Sequence, residues 1–168
     1  MRINPVKAIF IIVVGIYGFI CASDTSVYRF MDRVDLIFHE AGHSVFRILG
    51  EFVGVLGGAL GQIIVPSGII LYFALKREFY SASIGLFWLG QSLFNVSVYM
   101  KDARTMELPL IGGEDVIHDW NYILNNLGLL RYDLTLGSAV YWIGALFILG
   151  SFLSGLYFSF EFEEKGKD

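Results

Sequence analysis

Cysteine is almost absent from this chain. Among 168 residues only Cys21 occurs, so neither an intrachain disulfide nor a zinc knuckle built on several cysteines is possible. Charge is also sparse. Acidic and basic residues make up 17% of the sequence against about 25% in a soluble domain, while 55% of residues are hydrophobic and mean hydropathy is +0.62. This composition belongs to the membrane class. There is no basic stripe, and the net charge of −4 is spread over loops and tail, so nucleic acid is not expected as a partner. No stretch is long or polar enough for a separate soluble domain, and neither an internal repeat nor a low-complexity tract occurs. Histidine is scarce too, at three residues. That excludes the histidine-rich membrane di-iron desaturases and hydroxylases.

The apolar residues fall in blocks. Residues 8–22 follow Arg2 and Lys7 and are read as an uncleaved first helix rather than a signal peptide. Block 36–75 is about two spans long, and Gly57-Gly58, Gly61 and Pro66 predict a break inside it, giving segments 36–56 and 60–75. Segments 79–100 and 137–160 complete the set. Gly137, Gly144, Gly150, Ser154 and Gly155 are small enough to allow close helix packing in the last of these. The expected fold is all-α: a single integral membrane domain over 1–168, with four to five membrane helices. A short amphipathic helix is expected in the 101–136 loop, where Val116, Ile117, Trp120, Ile123, Leu124 and Leu127 recur with helical spacing. Glu114 and Asp115 suit its first turn and Gly128 its end. Lysine and arginine divide almost evenly between the two sides, so charge does not orient the chain, although Arg2 and Lys7 favour a cytoplasmic N-terminus. We expect a multi-pass protein of a bacterial or archaeal cell membrane, with the lipid bilayer as one partner.

Within block 36–75 lies His39-Glu40-Ala41-Gly42-His43, which fits the HExxH pattern. Four residues apart on a helix, His39 and His43 share one face and can grip one metal ion, and Glu40 projects beside them to act on a metal-activated water. Haem is a poor alternative, because both imidazoles point to the same side of one helix. A transporter would call for broken segments in two matching halves, which are missing.

A catalytic zinc site keeps an open position and needs a third protein ligand. The one other histidine, His118, is the preferred candidate, with Asp119 able to support the site from behind. Asp102 is the alternative. It ends a polar stripe of Gln91, Asn95, Tyr99 and Asp102 on an otherwise apolar helix, where polar residues face a bundle interior or a site. The stripe can equally serve helix–helix hydrogen bonding. Asp115 and Asp119 are further possibilities for the third ligand.

These residues resemble the site-2-protease type of membrane-embedded zinc metalloprotease. The likeness rests on Phe38-His39-Glu40-Ala41-Gly42-His43 opening a membrane helix, with Gly57-Gly58 downstream and a later span bearing Asn95 and Asp102. It covers roughly residues 36–104. In that family an aspartate ligand comes from an Asn…Pro…Asp-Gly pattern; here the proline is missing and Ala103 stands in place of the glycine. The resemblance implies Zn2+ as cofactor and a minimal or divergent protease, with a membrane protein or peptide as substrate. Glu40 would be general base on a zinc-bound water, and the substrate must unwind before attack because a helix's carbonyls are already hydrogen-bonded. The polar run Asp32-Arg33-Val34-Asp35 predicts a shallow site, about one helical turn below the membrane surface, and hence a juxtamembrane substrate. The alternative is a non-catalytic scaffold or a metal-binding pseudo-protease.

Overall fold

The computed structural model describes residues 2–108 and 117–161. Six α-helices dominate it: α1 (Pro5–Ser23), α2 (Phe30–Phe46), α3 (Glu51–Leu75), α4 (Phe79–Lys101), α5 (Asp119–Asn126) and α6 (Asp133–Tyr157). The only strands among the described residues are β1 (Arg2–Ile3) and β2 (Phe160–Glu161), an antiparallel two-residue ladder that ties the start of α1 to the end of α6.

Local chemistry sets the helix boundaries. Asn4 caps α1 by accepting from the Lys7 N–H at 3.2 Å, and Pro5 occupies the first position, where its missing N–H costs nothing. Asp32 at the third position of α2 reaches back to the Arg29 N–H at 2.6 Å. A 3-10 turn, Arg47–Leu49, ends α2, and Gly50 takes φ +103°, where a side chain would be strained. Glu51 then opens α3 with a charge suited to a helix N-terminus.

The break in block 36–75 therefore falls at residues 47–50, not within 57–66 as the glycines and proline suggested. Gly57, Gly58, Gly61 and Pro66 all lie inside one continuous, 25-residue α3, and all four are buried. The three glycines serve packing. A Cβ on Gly42 would collide with the Gly57 carbonyl oxygen, and one on Gly61 with the Phe38 carbonyl oxygen. Their absence lets α2 and α3 lie backbone to backbone.

α4 is the axis of the bundle. Its buried residues run all round the helix, from Ala82 to Met100, because α3, α6, α1 and α2 pack on different sides of it. Its antiparallel contact with α6 is close. Gly90 and Gly144 face each other, Ser97 donates to the Gly137 carbonyl at 2.7 Å, and Ser151 donates to the Ser83 carbonyl at 2.6 Å. Gly155 likewise meets Ile11 of α1, whereas a side chain at Gly150 would meet open space.

Three helical stretches are long and apolar enough to cross a membrane: Pro5–Ser23, Glu51–Leu75 and Leu130–Tyr157. That is fewer than the four to five expected. α2 has 17 residues and carries Asp32, Arg33, Asp35, His39, Glu40 and His43, so it lacks the length and the composition. α4 has the length, but its inward-facing Gln91, Ser92, Asn95 and Ser97 lower its hydropathy. The outer faces of α1 and α6 are apolar and exposed, with Val6, Ile9, Val13 and Phe19 on one and Trp142, Leu146 and Leu153 on the other. Such faces suit hydrocarbon rather than water.

Candidate metal centre

α2 presents His39 and His43 toward α3 on one face, as their spacing requires. The two Nε2 atoms are 3.1 Å apart. Asp119, the first residue of α5, completes the group. Its Oδ2 lies 2.9 Å from His39 Nε2 and 3.2 Å from His43 Nε2. Among the described residues these are the side chains that converge closely enough to hold a metal ion. His39 and Asp119 are buried and His43 is partly so.

Neither preferred third ligand reaches the pair. His118 caps α5 instead, its Nδ1 accepting from the Asn121 N–H at 3.2 Å. An accepting Nδ1 places the proton on Nε2, which donates to Asp102 Oδ2 at 3.1 Å. Both ring nitrogens of His118 are thus committed, and so is Asp102. Besides His118, its carboxylate accepts from the Thr105 hydroxyl and from the N–H groups of Glu107 and Leu108. The two residues that compete on paper as third ligand are bonded to each other. Asp115 lies outside the described residues, as do Glu114 and Val116 of the expected amphipathic helix. Of that helix the structure has α5, which starts at Asp119; Ile117 and His118, expected inside it, precede it, and Trp120, Ile123 and Leu124 of α5 pack on Ala59, Val96, Met100 and Ala103.

The polar stripe on α4 divides its work. Gln91 and Asn95 donate to Asp32 Oδ1 at 2.8 and 3.3 Å, tying α4 to α2. Asp35, fully buried, accepts from Trp88 Nε1 and the Ser92 hydroxyl, each at 2.8 Å. Asp32 and Asp35 therefore make interior contacts, because both carboxylates face α4, while Arg33 between them is exposed. Farther along the stripe, the Tyr99 hydroxyl accepts from the Asp119 N–H at 3.1 Å.

His43 Nδ1 donates to the Gly54 carbonyl at 2.9 Å, which orients the ring and leaves Nε2 as its free donor atom. That atom faces another imidazole nitrogen and a carboxylate oxygen. Three electron-rich atoms at such distances repel unless a cation, a proton or a metal, sits among them. A tetrahedral metal with bonds of about 2.0–2.1 Å needs donors about 3.3–3.4 Å apart, so the observed 2.9–3.2 Å would open by a few tenths of an ångström. Burial pushes the Asp119 carboxyl toward the neutral form. The contacts of its carboxylate with His39 and His43 prevail and hold it below the usual aspartate range, so it is ionised as a ligand must be.

Gly58 of α3 lies against both rings. A Cβ there would fall 2.6 Å from His39 Nε2 and from His43 Nε2, so only glycine leaves room for the donors to meet. On the other side opens a cavity of about 710 Å³. His39, Glu40, His43, Tyr99 and Asp119 line one part of it; Leu36, Phe94 and Val98, the 25–29 connection, and the polar Asp32, Arg33, Gln91 and Asn95 line much of the rest. Glu40 is exposed and stands at this cavity beside the two histidines. The centre lies near one end of the bundle: Gly58 is about 10 Å along α3 from its first residue, and Tyr99 is in the last turn of α4.

Comparison of the chain with family models, with curated proteins and with solved structures found no match.

Proposed function

We propose that this chain is a membrane-embedded zinc metallopeptidase, with His39, His43 and Asp119 as the ligands and Glu40 as general base. The observation that carries this reading is the convergence of three donor atoms within 2.9–3.2 Å of one another, next to an exposed glutamate in an open cavity. Asp119 takes the place first given to His118 and Asp102. A two-histidine, one-carboxylate set with access from one side suits a catalytic zinc site.

Zinc bound there would supply Lewis acidity, polarising the scissile carbonyl and acidifying a water. The chain's own contribution is positional. Glu40 follows His39 directly, so it reaches the same space without being a ligand. There it accepts the proton of the attacking water and returns it to the leaving amine. Gly54 holds His43 in the ligating tautomer, and Gly58 keeps α3 clear of both rings. The largely apolar cavity wall accommodates apolar side chains of a peptide that has left its helix. We count α4 as a fourth membrane helix, its Gln91, Ser92, Asn95 and Ser97 turned inward and each donating to α2 or α6. The position near the ends of α3 and α4 favours a substrate segment close to the membrane surface.

The test is cleavage of unfolded and single-span membrane peptides by the purified protein in detergent, with zinc content measured on the same samples. Wild type should hold zinc and cleave. Glu40→Gln should keep its zinc while cleavage falls about 10²–10⁴-fold. Full cleavage by Glu40→Gln would remove the general-base role. Zinc with no cleavage in wild type would point to a metal-binding protein without catalysis.

A further inference from the structure

The ligands of the candidate centre are held unequally. His39 and His43 sit on a long helix locked against α3. Asp119 arrives on α5, which has eight residues and follows a long connection from α4. A lone carboxylate on so short an element needs independent fixing to stay within reach of the histidine pair.

Three contacts supply it, and all originate at the end of α4. The Tyr99 hydroxyl accepts from the Asp119 backbone N–H at 3.1 Å. The Tyr99 ring packs on His118, with centroids 4.3 Å apart, and lies 6.0 Å from the ring of His39. His118 then joins the residue before Asp119 to Asp102, through the 3.1 Å bond to its buried carboxylate. The start of α5 is thus pinned on both sides of the peptide that leads into the ligand.

We propose that Tyr99, His118 and Asp102 are positioning residues, which fix the Asp119 carboxylate against the histidine pair and set the metal affinity of the centre. The proposal rests on the zinc reading given above. It assigns a task to the His118–Asp102 pair, which neither ligates nor faces the reacting atoms.

Two variants separate positioning from folding. Tyr99→Phe removes only the hydroxyl. His118→Asn keeps an N-capping side chain for Asn121 but is too short to reach Asp102. The full chain in detergent would be titrated with Zn2+ against a chelator of known affinity, and with Co2+ while following its visible absorption; thermal melting of the metal-free samples would be recorded in parallel. Each variant should bind zinc about 10- to 100-fold more weakly, the range typical when groups supporting a ligand are removed. The Co2+ bands should shift, and metal-free Tyr99→Phe should melt close to wild type, while metal-free His118→Asn should lose no more than its one bond to Asp102 supplies. Wild-type affinity and an unchanged Co2+ spectrum in both variants would overturn the proposal while leaving the zinc reading intact. Weaker binding fully matched by lower metal-free stability would overturn it too, in favour of a folding role. A wild type that binds neither ion would overturn the zinc reading and this proposal with it.

Discussion

Gly58 and His39 touch across the α2–α3 contact: a methyl group on the glycine would lie 2.6 Å from the imidazole Nε2, and equally close to that of His43. Gly58→Ala should therefore displace both rings from Asp119. Because the rings can swing toward the cavity, the fold should survive while metal binding suffers. We expect zinc affinity to drop at least about 10-fold, measured by chelator competition. Undiminished affinity in Gly58→Ala would mean that the close approach has no bearing on the centre.

A different cost attaches to Gly42. There a Cβ meets the Gly57 carbonyl oxygen and the Gly61 Cα, both backbone, so the helices must part rather than a side chain move. Gly42→Ala should destabilise the bundle by about 1–3 kcal/mol, read by denaturation in detergent. Gly150→Ala on α6 meets nothing within 4 Å and should be neutral or slightly stabilising. Equal stabilities for the two variants would contradict the packing argument.

Much of the architecture is legible in the sequence, but not its punctuation. Helices α1, α4 and α6 follow directly from apolar runs. Gly57, Gly58, Gly61 and Pro66 look like breakers because glycine and proline weaken an isolated helix; packed against α2, the same glycines are what permit contact. The real interruption had a signal of its own in Gly50 followed by Glu51, a stop and a start.

The centre was legible in half. His39, Glu40 and His43 stand out because one helix turn brings them together. Asp119 comes from 80 residues away, and no local periodicity carries such information. One clue was present. Asp119 and Ile123 are four apart and so share the buried face of α5, whereas His118 precedes the helix and serves as its cap.

Asp102 should make the protein sensitive to acid. Burial raises its pKa, but the bonds it accepts from Thr105, Glu107, Leu108 and His118 outweigh this and hold it below the ordinary value of 3.8. A depressed carboxylate contributes stability that is present above the unfolded-state pKa and lost as pH falls through the folded one. Melting temperatures of wild type should accordingly fall below about pH 4. Asp102→Asn, already less stable at neutral pH, should show a shallower decline over the same window. Parallel declines would show that Asp102 contributes nothing to the acid sensitivity.

Asp119, from outside the HExxH helix, is proposed to complete a zinc centre with His39 and His43. The most direct test is the zinc content of the purified, detergent-solubilised full chain, by elemental analysis, in wild type and Asp119→Ala. About one zinc per wild-type chain is expected, as a single three-ligand site requires, and little or none in Asp119→Ala under the same conditions. Wild-type protein without metal, or Asp119→Ala with a full complement, would contradict this assignment.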